Sequence, residues 1–458
     1  MSKIVENELG KAGSSHIPSR RKSLKGLVAF GGAVLGSSAL RGILPARAQA
    51  TKTVRVWTTQ GAPLQREAYD FIIKAFEAEN RDIKVSLEFY SDNDAWPKLT
   101  TAFAGGDVPD VVQHLSSVYT ASLFQRGLLE PVTDVVKQVG EDDFSMASRD
   151  VYRDPNGSGY FATVIGTAVL STLWYRKDRL AAAGLGAPKY FDEWLNVAKA
   201  ATKGGMYGAS LPYSGNGFAN YLVDYAIQAS GGWLVAPDMS VVANSPATVA
   251  ALEFLKEMRQ YCPPGSNNYS FDEALGGFVS GAAASSIYTG RVLVNVHNNN
   301  PSIEPNIEAA VFPYRRDGGR PFSTNSFASQ FIPKGAKNIE GAKRFAAFQY
   351  KPEMYIKFLH SAPGHLLPVL ISIGKSPDYL NHPLLREHQS AVAVMVDEAS
   401  WGGAPVKPSK DHPLILKAGD IYGANVLAGA LQRVVVDDDS SVNAAAWLQD
   451  QVAKIMKS

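Results

Sequence analysis

The stretch AFAGGDVPDVVQH, residues 102–114, decides how the rest of the chain is read. Two glycines close a helical run, Asp-Val-Pro-Asp turns the chain, and Val111 and Val112 start a short apolar strand. The strand then stops in groups that make hydrogen bonds: Gln113, His114, Ser116 and Ser117. In open α/β sheets, ligands bind beyond the carboxyl ends of strands, so this exit reads as the floor of a site. The alternative is a surface loop whose polar residues only solvate the turn.

Upstream, KTVRVWTTQ (52–60) reads as a strand ending in Thr-Thr-Gln-Gly. EAYDFIIKAFEAEN (67–80) places Phe71, Ile72, Ala75 and Phe76 at helical spacing. IKVSLEFY (83–90) alternates, with Val85, Leu87 and Phe89 on one side, and AWPKLTTAFAGG reads as a helix closed by glycine. The start is therefore β-α-β-α-β. Downstream, AVLSTLWYRKDRLAAAGL reads as a strand running into a helix. FDEWLNVAKAAT (191–202) is amphipathic with Asp192 placed to cap it, and SPATVAALEFLKEMRQ opens on a Ser-Pro helix start. This alternation predicts an α/β chain, and the length suggests two domains.

Residues 1–50 read as an export signal rather than as fold. SRRKSLK precedes an apolar, Gly- and Ala-rich run, and PARAQA offers small-residue cleavage sites after Ala48 or Ala50. The paired arginines resemble a twin-arginine signal. No cysteine lies near the cleavage region, so the expected product is periplasmic, soluble and not lipid-anchored. Removing the leader leaves 37 basic and 41 acidic residues, a net charge of −4, with no basic patch for nucleic acid. Cys262 is alone, which excludes an intrachain disulfide.

Several segments, in order, resemble the sugar-binding group of bacterial extracellular solute-binding proteins. FAGGDVPDVVQ is similar to the family's Gly-Asp-x-Pro-Asp-Val-Val segment. WYRKDRLAAAGLGAPKYFDEWLNVAKAAT, QASGGWLV, ALGGFVSGAAASSIYTGR, FIPKGAKNIEGAKRFAAFQYKPEMYIKF and GHLLPV resemble its later signatures. The set covers nearly all of residues 51–370. Ser285, Ser286 and Ile287 depart from it where methionine is common, and Arg291-Val292 stands where tryptophan is frequent. The resemblance implies a two-lobed periplasmic binding fold, each lobe a β-sheet flanked by helices, with the ligand in a hinged cleft. Chain crossings are expected near residues 163–167, 310–313 and 367–369. Lobe one then takes residues 51–165 and 313–366, and lobe two takes 166–312 and 367–458. The implied partners are a carbohydrate and the membrane permease subunits of an ABC importer, with the receptor a monomer needing no cofactor.

A sugar shows hydroxyls at its rim and C–H groups on its faces, so its site needs hydrogen-bonding side chains and aromatic plates. Candidates in lobe one are Thr59 and Gln60 after the first strand, Trp96, His114, Ser116 and Asn325. Those in lobe two are Asn216 in the loop YSGNGF, Trp233, Tyr288, Gly290, Arg291, and Trp401 in a late loop. Each has a plainer reading: a turn histidine for His114, a packing role for Trp96 and Trp401, a simple turn for Asn216, and a solvated loop for Asn325. An arginine could fork two hydroxyls or a carboxylate, which keeps a sugar acid, polyol or phosphorylated polyol open. There is no Gly-x-Ser-x-Gly, no His-Glu-x-x-His and no phosphate-binding loop. His360, His365, His382 and His388 lack metal-ligand spacing, and no carboxylate pair is singled out for glycan cleavage.

Overall fold

The structure is a computed structural model that describes residues 51–157 and 159–458. The export signal expected over residues 1–50 lies outside the described residues. Eight strands are present among them: β1 (Lys52–Thr58), β2 (Ile83–Phe89), β3 (Val111–Leu115), β4 (Thr163–Val169), β5 (Leu173–Arg176), β6 (Ser285–Ile287), β7 (Ile307–Ala310) and β8 (Asn325–Phe331). They form a five-stranded sheet in the order β2-β1-β3-β8-β4 and a three-stranded sheet in the order β6-β5-β7. Strands β1, β2 and β3 run parallel, while β8 lies antiparallel between β3 and β4. The smaller sheet is antiparallel throughout.

The β-α-β-α-β start is observed. Helix Pro63–Glu79 begins before the expected Glu67, because Pro63 suits a first helical position and the Gln65 side chain accepts the Ala62 N–H at 3.0 Å. Its buried stripe is Ala68, Tyr69, Ile72 and Phe76; Phe71 is 39% exposed, so the inner face is turned toward Tyr69. Asp110, at the end of the Asp-Val-Pro-Asp turn, is buried and accepts the backbone N–H of Arg55 and of Asn338, each at 2.8 Å. That one carboxylate fastens β3 to the edge of β1 and to the start of helix Ile339–Phe348.

The chain leaves the large sheet later than expected. Strand β4 pairs with β8 as far as Val169, so the first crossing runs through Leu170, Ser171 and Thr172. The second lies at Ser323 and Thr324. Before it, Phe312 bridges Phe322, and Arg315 and Arg320 donate their backbone N–H groups to the Ala229 carbonyl, which holds this hairpin on the smaller-sheet side. The two crossings bond each other: Leu170 N–H to the Thr324 carbonyl at 2.9 Å, and Thr324 N–H to Ser171 Oγ at 3.0 Å. Leu367 still pairs with Thr167 of β4, so the third crossing follows it.

On the smaller side, the run expected as one strand entering a helix divides into the end of β4, the crossing, β5 and helix Lys177–Ala182. Helix Phe191–Ala201 is capped by Glu193, whose carboxylate accepts the Lys189 and Tyr190 N–H groups at 2.8 and 3.3 Å; Asp192 pairs with Arg316 instead. Ser245 caps helix Pro246–Met258 as its Ser-Pro start predicts. Cys262 is buried and unpaired, and burial pushes its thiol up to about 12. No helix among the described residues is long and apolar enough to cross a membrane.

Candidate functional site

The carboxyl end of β3 opens into a cleft of about 560 Å³ between the two sheets. Strand β3 loses register against β8 between Gln113 and Leu115, and His114 adopts φ +67°. A bulge of this kind re-aims a side chain, and here it turns His114 into the cleft. Gln113 points the other way. It accepts the Tyr69 hydroxyl at 2.7 Å and donates to Gln330 and Gln349 in a buried network.

The protonation of His114 is set by a relay that starts at the backbone. The Ala62 N–H can only donate, so it fixes the carbonyl end of Gln65. The Gln65 amide nitrogen then donates to Gln60 Oε1, and Gln60 Nε2 donates to His114 Nδ1 at 3.0 Å. With Nδ1 accepting, the ring proton sits on Nε2. That Nε2 is buried and has no partner. Burial, reinforced by the charge of Arg291, pushes His114 down to about 3, so the ring is neutral at physiological pH. His365 also lines the cleft and is held well below the usual histidine range by burial, then by Arg291 and His114.

Aromatic faces make up much of the remaining wall. Tyr119 is backed by Trp96, stacked at 4.7 Å. Phe218 and Phe271 stack at 4.5 Å, and Tyr288 meets Phe218 edge-on at 5.6 Å. Tyr221 completes this wall; burial pushes Tyr221 and Tyr288 up to about 12, so both hydroxyls keep their protons. Arg291 is the one cation and Asp272 the one carboxylate among the described lining residues. The edges of the cleft touch at Gly290: a Cβ there would lie 1.9 Å from the Gly364 carbonyl oxygen.

A sequence profile described as bacterial extracellular solute-binding protein matches residues 61–356. The chain belongs to this family. It is 23% identical over 373 residues to a putative ABC transporter periplasmic-binding protein, YcjN, of Escherichia coli K12, covering 80% of this chain and 84% of that protein. It is 26% identical over 326 residues to the arabinooligosaccharide-binding protein of Bacillus subtilis, covering 67% and 71%. The fold is similar to the maltose-bound MalE3 structure of T. maritima, with a TM-score of 0.73 and 18% identity over 88% of this chain and 99% of that one. The architecture is thus the two-lobed one of solute-binding proteins.

In this solute-binding protein, Gln60, His114, Ser116, Tyr288 and Arg291 line the cleft together, and Gly290 forms its touching edge. Thr59 lies beside Gln60 with a buried hydroxyl that has no partner. The other candidates sit elsewhere. Trp96 stands behind Tyr119. Asn216 is exposed on its loop, and the same loop delivers Phe218 to the cleft instead. Trp233 carries the Arg320 guanidinium over its ring at 3.9 Å and meets the His412 ring edge-on at 4.4 Å. Trp401 ends helix Gln389–Trp401 rather than standing in a loop, and bonds Asp397 at 3.1 Å. Asn325 is buried at the second crossing, donating to the Ala399 and Gly402 carbonyls at 3.3 and 2.9 Å. Beside it Glu398 accepts the Thr172 hydroxyl at 3.1 Å and lies next to Ser323, so one carboxyl of the last segment bonds the first crossing and abuts the second. Burial pushes that carboxyl up to about 8, and its Oε1 has no partner. Sequence reasoning missed Tyr119, Tyr221, Phe218, Phe271 and His365. The first four lie on helices, where spacing alone does not separate a cleft face from a core face, and His365 is weighed in the sequence only as a metal ligand.

Proposed function

We propose that this solute-binding protein is the periplasmic carbohydrate receptor of an ABC importer and closes its lobes over the sugar. The observation that carries the reading is the Nε2–H of His114: a buried donor with no protein partner, facing a cleft with aromatic walls. A sugar hydroxyl satisfies such a donor while the C–H faces cover the rings. Both histidines are neutral, and the one cation is matched by one carboxylate, which suits an uncharged polyhydroxy ligand. Glycan cleavage needs two carboxylates across the scissile bond, and Asp272 stands alone in the lining, which supports a binder rather than an enzyme.

Sheet membership supports a lobe one of residues 51–169 and 325–370 and a lobe two of residues 173–322 and 403–458, with helix Gln389–Trp401 packed against β4 and β7. Ligand favours the closed state by binding it more tightly than the open one. ATP hydrolysis belongs to the importer, whose membrane subunits meet the closed receptor. A second reading, a sugar acid or phosphorylated polyol, is favoured by Arg291, which has no carboxylate at ion-pair distance among the described residues.

A thermal-shift screen against neutral mono- and oligosaccharides, polyols, sugar acids and phosphorylated polyols tests both. A bound ligand at a hundredfold excess over Kd adds about 2.7 kcal/mol of stability. A selective shift with neutral sugars, lost in His114→Ala, is the expected result. Shifts confined to anions would transfer the site to the second reading, and no shift across the panel would remove carbohydrate as the ligand.

A further inference from the structure

Besides Gly290 and Gly364, the cleft has a second touching edge, next to Tyr119. Helix Ser117–Gln125 carries Tyr119 and is fixed to the larger sheet, where the Thr120 hydroxyl donates to Ser329 Oγ of β8 at 2.9 Å. Helix Ala418–Gly423 is fixed to the aromatic wall opposite. Its Tyr422 hydroxyl donates to Asp224 Oδ2 at 2.6 Å, and the Tyr422 ring lies 4.9 Å from that of Tyr221. Just after it, Asn425 Oδ1 accepts from Asn220 at 2.7 Å, and Asn220 accepts the Ala428 N–H at 3.0 Å. Asn220, Tyr221 and Asp224 share helix Phe218–Ala229, so helix Ala418–Gly423 moves with the wall that this helix supplies.

Gly419 faces Val118 across this edge. A Cβ on residue 419 would lie 3.3 Å from the Val118 carbonyl oxygen and 3.6 Å from the Val118 Cβ. The φ of Gly419 is outside the left-handed region, so the backbone there does not require glycine, and glycine is a poor helix former. What it supplies is the close approach of two helices from opposite walls.

We infer that helix Ala418–Gly423 is a clasp that seats on Val118 as the cleft closes and limits the ligand to a mono- or disaccharide. The kind of ligand rests on the carbohydrate reading above; the contact does not. Gly290 and Gly364 close the cleft beside Arg291 and His365, and the clasp closes it beside Tyr119. The chamber between them, about 560 Å³, is in the middle of the range for small-molecule pockets, about 300–1,000 Å³. Tyr119 and Tyr221 face each other next to the clasp: burial, then Tyr119, pushes the Tyr221 hydroxyl up to about 12. A sugar ring on the open face of Tyr119 therefore has the clasp beside it, and further rings on that side must lift the helix off Val118.

The test is the full chain carrying Val118→Cys and Gly419→Cys. Disulfides span Cβ separations of about 3.5–4.5 Å, which this pair meets, and the one native cysteine, Cys262, is buried. Mild oxidation is expected to reduce the thiols counted after denaturation from three to one. Titration calorimetry with neutral saccharides of one to four rings reads the length limit. The wild type is expected to bind only those of one or two rings. Gly419→Leu, which holds the helix off Val118, is expected to weaken these at least tenfold and to admit longer ones. A pair that does not crosslink, with or without saccharide, overturns the clasp. A wild type that binds a tetrasaccharide as tightly as a disaccharide overturns the length limit. A crosslink with no saccharide bound at any length overturns the carbohydrate reading, and the length limit with it, and leaves the clasp supported.

Discussion

Replacing Glu398 by glutamine isolates the carboxyl at the junction of the crossings. Gln keeps the shape and accepts the Thr172 hydroxyl, but it cannot ionise. In the fold the carboxyl titrates at about 8, and unfolded at its ordinary 4.5, so the native state holds the proton throughout that interval. The stability linked to this proton is complete below the unfolded value, declines as pH rises toward the folded value, and levels off above it. The decline is about 1.4 kcal/mol per pH unit within the interval, or about 3 to 4 kcal/mol from pH 5 to pH 8. Every other titrating group is common to both proteins, so the wild-type minus E398Q difference reads this site alone. Urea unfolding at half-unit steps from pH 5 to pH 8 measures it. The variant is expected to gain on the wild type steadily, and to be the more stable protein at pH 8. Parallel profiles for the two proteins would show that Glu398 is ionised in the fold and would refute the argument.

Gly290 has φ −60°, which any residue adopts, so alanine there strains only the contact with Gly364 across the cleft. G290A is expected to leave stability unchanged, to enlarge the particle seen by small-angle scattering with ligand present, and to weaken binding tenfold or more. A compact, tight-binding G290A would deny that this edge closes. Because His114 is neutral down to about 3, ligand affinity is expected to stay flat from pH 7.5 to pH 5, and a fall centred near pH 6 would contradict the buried, uncharged ring. Gln65→Glu reverses the relay: its carboxylate faces Gln60, which must turn its amide nitrogen to it and its oxygen to Nδ1. The proton then moves from Nε2 to Nδ1, visible in the nitrogen-15 shifts of His114, and an unchanged tautomer would show that Gln60 does not set it.

The parallel half of the five-stranded sheet was legible because its periods are clean. Val54, Val56, Val111 and Val112 mark strands, and the helix between β1 and β2 repeats its apolar positions. The end of the larger sheet is hard to read in the sequence for a physical reason. Strand β4 is buried along its whole length although it holds Thr163 and Thr167, and burial continues through Leu173 and Trp174 in β5, so a further polar pair between them does not by its hydrophobicity mark where one sheet ends and the other begins. What marks it is Ser171 and Thr172, two fully buried polar residues whose hydroxyls bond Thr324 and Glu398. Their partners are distant in sequence, and a single chain gives no sign of them.

The site divides in the same way. His114 and Gln60 were found because they follow strand ends, where topology alone predicts a cleft. The aromatic wall was not, because a tyrosine on a helix facing a ligand has the same spacing as one facing the core. Tyr119 and Val118 are neighbours on one helix, yet Val118 is 5% exposed and packs inward while Tyr119 lines the cleft. Trp233 misleads for the opposite reason: a large ring next to Gly231-Gly232 suggests exposure, but it can as readily be covered by side chains from elsewhere, as Arg320 and His412 cover it. What separates a binding aromatic from a structural one here is an uncovered face. Tyr119 has Trp96 on one side and the cleft on the other, so its open face is available to the ring of a sugar. The relay behind His114 shows the complementary rule for polar groups. Gln65 and Gln60 spend their hydrogen bonds on one another and on His114 Nδ1, and leave the His114 Nε2–H unpaired at the wall of the cleft.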